Sequence, residues 1–368
     1  MDTGNWYEFQ VPADIDSPAL LIYKDRVAQN IDTMISIAGD PAKLMPHVKT
    51  HKLKEIVQMQ LDKGITRFKC ATIAEAEMVA DAGAAFVLLA YQVIGPKLNR
   101  WLSLVQAYPK VQFASVVDNE PAAQALNNTF AATGLTAQVY IDIDNGMHRT
   151  GINPTDAFTL YEQIAQLKHL RLLGLHVYDG HIREVDFDKR TAITNEAYAP
   201  VASLVQQIIN AHYPTPGIVV GGTPTFTVHA KRPGVICSPG TCLLWDEGYG
   251  SSLPEQPFLK AAVLFTRVIS QPIAGRVTTD LGHKAVAAEN TIDKRVAFLN
   301  LADYKVISQS EEHLVVETAT PLPIGALLFA VPFHVCPSVA LYNEAHIIEH
   351  GQYTGTWRIT ARQRKINI

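Results

Sequence analysis

Residues 111–177 read VQFASVVDNEPAAQALNNTFAATGLTAQVYIDIDNGMHRTGINPTDAFTLYEQIAQLKHLRLLGLHV. Three apolar runs, Val111–Val117, Ala137–Ile143 and Leu170–Val177, are separated by two stretches with helical spacing of apolar residues, Asn119–Thr133 and Pro154–Leu167. Near-continuous apolar strands that alternate with amphipathic helices are the pattern of a parallel sheet buried on both faces.

The rhythm extends outward in both directions. Upstream lie the runs Lys43–Val48, Arg67–Ala71 and Phe86–Ala90; downstream lie Gly217–Val220 and Gly234–Leu244. Helical patterns at Lys52–Lys63, Ile73–Ala82, Pro96–Tyr108 and Asp186–His212 fall between them. Eight strands in roughly 200–250 residues predict an α/β fold, a closed (β/α)8 barrel of the TIM type. The competing open, doubly wound sheet would carry a glycine-rich fingerprint after its first strand, and none is present there. Past about residue 255 the pattern changes to short alternating segments with Gly, Pro and Asn turns, which predicts a second, β-rich domain. The expected boundaries are 19–252 for the barrel and 1–18 plus 255–368 for the β-rich domain, with the strand Ala19–Tyr23 also contributing to the latter. Ser252–Pro257 is the expected linker.

Composition narrows the function. The chain has 368 residues, enough for two cores, with 48% hydrophobic and 18% charged residues and a net charge of −4. That balance fits a soluble globular enzyme and points away from nucleic-acid and membrane partners. No apolar run is long enough to span a bilayer, and MDTGNWYEFQ lacks the layout of a signal peptide, so a cytoplasmic location is expected. Cys70, Cys237, Cys242 and Cys336 are too sparse for a disulfide scaffold.

A barrel places its chemistry where strands end. The first such place is Met45-Pro46-His47-Val48-Lys49-Thr50-His51-Lys52. A lysine just past a buried strand can be desolvated, which lowers its pKa and exposes the nucleophilic amine that a Schiff base requires. A solvated basic strand end is the plain alternative. The loop after the fifth strand holds Asp144–Gly151, and Tyr178-Asp179-Gly180-His181 follows the sixth. Gly221-Gly222-Thr223-Pro224-Thr225 follows the seventh and Ser238-Pro239-Gly240-Thr241 the eighth, the positions at which such barrels hold phosphate through backbone N–H groups and hydroxyls. Tight turns would explain the same glycines. An amine and an anion cradle at one barrel mouth together suggest pyridoxal phosphate.

In the β-rich part, Pro332-Phe333-His334-Val335-Cys336-Pro337 would, if extended, turn the His334 imidazole and the Cys336 thiol to one spot. Nitrogen with sulfur suits zinc, and open positions would make the site catalytic. A buried cysteine beside a hydrogen-bonded histidine is the plain alternative.

Taken in order, HVKTHK, FKCATIAEAE, LLAYQVIGPK, IDIDNGMHRTG, GLHVYDGH, GGTPTF, SPGT, DLGHKAVAAE, SEEH and HVCPSVALY resemble the D-threonine aldolase and D-serine dehydratase family. These are alanine-racemase-like, fold type III pyridoxal-phosphate enzymes, and the resemblance runs from about Ile15 to the C-terminus. It implies that Lys49, rather than Lys52, carries the cofactor, that Arg149 lies near its phenolic oxygen and that Tyr178 sits by its ring or the substrate. It implies that Gly222, Thr223, Gly240 and Thr241 hold the phosphate, with Gly221 and Ser238 beside them, and that His334 and Cys336 hold a divalent metal, zinc or manganese. The plain alternatives are that Arg149 pairs with Asp142 or Asp144, that Tyr178 fills the rim, and that His181 caps the next helix.

The implied function is a metal-activated lyase of β-hydroxy-D-amino acids. Retro-aldol cleavage to glycine and an aldehyde leads, with His181 or His51 as the base, and dehydratase-type deamination on the same scaffold is second. A racemase would need a second base such as Tyr304, Tyr342 or Tyr353. A cofactor carrier without enzymatic activity is the further alternative, and the C-terminal domain argues against it. The fold type also implies a homodimer.

Overall fold

The structure is a computed structural model and describes residues 5–368, so residues 1–4 of the expected N-terminal segment lie outside the described residues. In chain order its strands are β1 (Ala19–Tyr23), β2 (Arg67–Cys70), β3 (Phe86–Gln92), β4 (Gln112–Val117), β5 (Ala137–Ile143), β6 (Leu170–Val177), β7 (Gly217–Val220) and β8 (Val235–Cys237). They continue as β9 (Ala262–Ile273), β10 (Arg276–Thr279), β11 (Val296–Phe298), β12 (Tyr304–Gln309), β13 (Leu314–Thr318), β14 (Leu327–Pro332), β15 (Glu344–Glu349) and β16 (Gln352–Arg358). The chain divides into two compact units. The first is made of residues 34–49, 54–240 and 363–368, and the second of residues up to 33 with 50–53 and 241–362.

In the first unit, β2 to β8 form one parallel sheet in sequential order. The run Lys43–Val48, expected as the first strand, forms no strand; a short 3₁₀ turn at Pro41–Lys43 precedes it and Pro46 has no N–H to give to a ladder. It still closes the ring. Leu44 bridges Cys237 on one side and His47 bridges Lys69 on the other. The N–H groups of Met45 and His47 donate to the carbonyls of Cys237 and Pro239 at 2.9 and 2.8 Å. Val48 N–H donates to Lys69 O, and Lys69 N–H to Pro46 O, both at 2.9 Å. The eighth stave is therefore a bridge rather than a strand, and the barrel is complete.

Met45, Phe86, Leu88, Ala114, Val116, Tyr140 and Val219 fill the barrel interior, with Leu173 and Ile236 packed against them. β6 and β7 come so close that a Cβ on Gly174 would run into the Gly217 carbonyl oxygen. Three of the surrounding helices start at side-chain caps: Thr72 accepts from Glu75 N–H, Asn119 from Ala122 N–H and Asp186 from Lys189 N–H.

The second unit is built on a mixed sheet in the order β12-β13-β10-β9-β1-β15-β16, with β14 on β9 and β11 on β14. β1 pairs antiparallel with β9 and parallel with β15, so this strand lies in the second unit and the barrel unit begins at Met34. Tyr7, Ile15, Ala19, Leu21, Tyr23, Val263, Phe265, Phe329, Val331 and Ile348 form a core whose strand members recur at every second position, as one face of a sheet requires. The barrel's main run of chain also stops earlier than residue 252, at Gly240, and only residues 363–368 return to that unit. Asn30 holds the carbonyls of Leu243 and Leu259, and the Asp246 carboxylate takes the N–H groups of Tyr249 and Val335, which ties residues 241–259 to the second unit.

Two strands, β12 and β16, fall outside the segments expected from apolar patterning. YKVISQ and QYTGTWR carry too few apolar residues to stand out. Among the described residues no helix is long and apolar enough to cross a membrane.

Leu88 is fully buried inside the barrel. Leu88→Ala should cost about 2–5 kcal/mol, read as a lower urea midpoint, whereas truncating the exposed Ile324 should shift it by no more than about 0.5 kcal/mol.

Candidate functional site

Lys49 follows directly on the residues that close the ring, one position beyond the Val48–Lys69 hydrogen bond. Its Nζ lies 5.8 Å from the centroid of the Tyr178 ring. Lys69 Nζ lies 5.4 Å from the same centroid and Arg149 Cζ 5.2 Å from it. Three cations thus surround one aromatic ring, within the range where ring and charge attract. None of the three makes a salt bridge among the described residues.

Arg149 therefore pairs with neither Asp142 nor Asp144. Asp144 is taken by the N–H groups of Gly146 and His148 and by the His148 ring at 2.8 Å. Asp142, buried, accepts from His176 Nδ1 at 2.7 Å and from Gln92 Nε2 at 3.0 Å. Burial alone would raise the Asp142 pKa, but the hydrogen bonds from His176, Thr150 and Gln92 outweigh it and hold the carboxyl below its ordinary value. Burial pushes the His176 pKa down despite Asp142, with the charges of Lys69 and Arg149 adding to the effect. A neutral His176 that donates its Nδ1–H to Asp142 presents Nε2 as an acceptor, and that buried nitrogen has no hydrogen-bond partner among the described residues.

The two glycine turns also come together in this unit. Gly240 N–H donates to Thr223 Oγ1 at 3.2 Å, and Gly222 N–H to Thr225 Oγ1 at 3.3 Å. Gly221 has φ +74°, and a Cβ there would meet the His229 ring at 2.9 Å; one on Gly222 would meet the Tyr178 ring at 2.9 Å. Asp179 locks the turn from below. Its carboxylate, wholly buried, accepts from Thr225 Oγ1 and His229 Nε2 at 2.7 Å each. The Ser238 hydroxyl is committed elsewhere, donating to Met45 O at 2.8 Å, so it pins β8 to the closing segment. His181 is exposed, and its Nε2 lies against Gly146. It does not cap the following helix, since Asp186 does.

The remaining residues expected at the site belong to the second unit. His334 and Cys336 do not lie on an extended segment. Val335–Val339 is a short helix, with His334 extended at its N-cap and Pro337 in the first turns, where a missing N–H is tolerated. They are still neighbours. His334 hydrogen-bonds Cys336, and its Nδ1 lies 2.5 Å from Glu289 Oε1. Burial works against the His334 cation, but Cys336, Glu289 and the more distant Asp246 outweigh it and push the pKa up to about 9. Cys336 Sγ lies 3.2 Å from Thr50 Oγ1 and 3.7 Å from Thr241 Oγ1. Thr241, expected on phosphate, thus stands beside the thiol. His51 is wholly buried; its Nδ1 accepts from Leu53 N–H at 3.1 Å, and burial pushes its pKa down to about 3. Among the described residues one other group of metal-type donors, Asp25, Glu349 and His350, comes together at the surface.

Sequence reasoning missed Lys69, His176, Asp142 and Asp179 as members of this constellation. Each had a signal: a lysine, a histidine or a carboxylate buried in an otherwise apolar barrel strand, or just past its end as Asp179 is, is costly unless it serves the interior.

The family model described as the alanine racemase N-terminal domain matches residues 22–246. The chain belongs to that family. A second model, described as a putative serine dehydratase domain, matches residues 261–348. As an alanine racemase-like protein the chain is 27% identical to a D-threonine aldolase of Arthrobacter sp., over 95% of this chain and 93% of that one. It is 25% identical to the D-threo-3-hydroxyaspartate dehydratase of a Delftia species, over 93% and 97% of the two chains. The crystal structure of a D-threonine aldolase from Filomicrobium marinum superposes with a TM-score of 0.86 at 27% identity, covering 95% of this chain and 96% of that one.

Burial pushes the Lys69 pKa from 10.5 down to about 7; Lys49 and Arg149 add to the effect, and Asp179 and Asp142 oppose it. Below that value Lys69 is charged in both the folded and the unfolded chain and the cost of burying the charge is felt in full. Between the two values the unfolded chain holds one proton more, so stability rises with pH. In cofactor-free protein, Lys69→Met should flatten the rise in urea midpoint between about pH 6 and about pH 9; an unchanged rise would contradict the assignment.

Proposed function

We propose that this alanine racemase-like chain is a pyridoxal-phosphate-dependent, metal-activated lyase of β-hydroxy-D-amino acids, acting by retro-aldol cleavage. The observation that carries the proposal is the meeting of the Lys49 amine, Lys69, Arg149, Tyr178 and two glycine turns at one end of the barrel. The residues fit the cofactor on three counts. Three cations without a carboxylate partner call for an anion, the backbone at Gly221 and Gly222 runs where a Cβ has no room, and His176 Nε2 is a buried acceptor awaiting a donor. The similarity to an aldolase and a dehydratase, both acting on D-β-hydroxy amino acids by their names, supports the same class.

Bound there, pyridoxal phosphate supplies an electron sink for charge developing at the substrate α-carbon. A divalent metal supplies a Lewis acid for the β-hydroxyl. The His334 and Cys336 donors suit zinc or manganese; Glu289 on Nδ1 leaves Nε2 as the ligand atom, and two protein ligands leave open positions. The protein's part is then specific. Lys49 is the residue that would hold the cofactor, through Nζ. Arg149 and Lys69 would balance its negative charge, Tyr178 would pack as the wall between them, and the Gly222 and Gly240 turns would hold the phosphate. For the aldolase reaction a base must take the β-hydroxyl proton. His181 is the better candidate, being exposed in the same unit as Lys49, whereas His51 is sealed off with a pKa near 3.

The dehydratase reading, in which Lys49 takes the α-proton, the β-hydroxyl departs as water and hydrolysis of the released imine gives an oxo acid and ammonia, is supported by the thiol donor at Cys336 and by the likeness to the Delftia dehydratase. A racemase is disfavoured because two candidate second bases are engaged: Tyr342 Oη donates to Ala285 O and Tyr304 Oη to Val296 O. The reading includes a homodimer.

The deciding experiment incubates the holoenzyme with a panel of D-β-hydroxy amino acids and assays aldehyde and oxo acid separately. D-Threonine should release acetaldehyde and L-threonine should not react; an oxo acid with ammonia and no aldehyde would instead make the protein a dehydratase. Lys49→Ala should lose both the imine absorbance and turnover. Cys336→Ala should lose bound metal, measured by elemental analysis, while keeping the cofactor; full metal content in that variant would remove Cys336 from the ligand set.

A further inference from the structure

A cavity of about 430 Å³ opens at the opposite end of the barrel, where strands begin. Its walls include Arg67, Phe86 and Gln112, the first residues of β2, β3 and β4, and Gln138 and Arg171, the second residues of β5 and β6, with Tyr140 deeper on β5. Barrels of this type place chemistry at the other end, and residues here ordinarily serve packing. Packing does not explain these. Arg67 and Arg171 are exposed, and neither has a hydrogen-bond or ion-pair partner among the described residues. Tyr140 is 5% exposed, yet its hydroxyl also lacks a hydrogen-bond partner among the described residues. A phenol held inside a barrel ordinarily finds a partner, so this one points to something that enters the cavity.

The positions of the arginines define the guest. β2 and β6 are four staves apart in an eight-stave ring, which puts Arg67 and Arg171 on opposite walls. One acidic group would satisfy one guanidinium and leave the other bare. We propose that this cavity binds a small dicarboxylate anion, with one carboxylate on Arg67 and the other on Arg171. Guanidinium and carboxylate match as two parallel N–H···O bonds. The ligand's carbon chain lies over Phe86, the Tyr140 hydroxyl donates to it from the floor, and the amides of Gln112 and Gln138 serve the remaining lone pairs. The site is separate from the constellation around Lys49 and does not depend on what that constellation does.

Isothermal titration calorimetry of the holoenzyme with succinate tests the proposal, with propionate as the single-carboxylate control. Succinate should bind once per chain, about tenfold more weakly in Arg67→Gln and in Arg171→Gln and more weakly in Tyr140→Phe, while Lys49→Ala should bind it as the wild type does. Both arginines are exposed, so these variants should fold, and circular dichroism checks that they do. Arg67→Lys, which keeps the charge but loses the paired bonds, should fall between wild type and Arg67→Gln. Absence of succinate binding at millimolar concentration would overturn the proposal. So would binding that is lost in Lys49→Ala and kept in both arginine variants, which would locate the ligand at the other end, and so would propionate binding as tightly as succinate.

Discussion

Four backbone hydrogen bonds decide this structure, those that residues 45–48 make to β8 on one side and to β2 on the other. Without them the seven-stranded sheet would have two open edges, each a row of unsatisfied donors and acceptors. With them it becomes a ring, and the chain leaves the ring at Lys49. Each bond contributes only about 0.5–1.5 kcal/mol net, but together they fix the backbone of the residue on which the proposed chemistry turns. Ser238, whose hydroxyl grips Met45, adds a side-chain tie to the same seam.

Inside the ring the strand period of two sorts residues by depth. β5 shows this in one line: Gln138 faces the cavity at the strand starts, Tyr140 belongs to the interior core, and Asp142 holds His176 near the strand ends. An apolar layer of Met45, Phe86, Leu88, Ala114, Val116 and Val219 separates the two polar ends. At the upper end, cations outnumber the carboxylates left to meet them: Asp142 is engaged with His176 and Asp179 with His229 and Thr225. An excess of positive charge next to a low-dielectric core is costly unless an anion shares it.

Much of this was legible beforehand. The β/α rhythm foretold β2 to β8 and their order, because buried parallel strands are continuous apolar runs, and the motifs at strand ends foretold Lys49, Arg149, Tyr178 and the glycine turns as neighbours. What the pattern could not carry was pairing decided by tertiary contact. The stave at 44–48 reads as a strand because it is apolar, yet Pro46 reduces it to bridges. β1, expected to contribute to the β-rich domain, inserts there between β9 and β15, although the boundary drawn at residue 19 counted it with the barrel. The segment at His334 is short and apolar enough to pass for extended chain, yet it turns into a helix at Val335, and Pro337 is compatible with a helix start. Lys69 and His176 stayed hidden in runs whose apolar neighbours masked them.

The two compact units are interleaved along the chain rather than strung one after the other: it passes from one to the other after residues 33, 49, 53, 240 and 362. Two of these passages fall directly after Lys49 and directly after Gly240, and the residues on the far side, Thr50 and Thr241, are the two whose hydroxyls stand by the Cys336 sulfur. No single cut in the gene would separate the barrel unit from the thiol-bearing unit, so recombination cannot readily exchange one while keeping the other. Such a protein diversifies by point substitution within a fixed pairing of units, and its relatives should differ in side chains far more than in domain order.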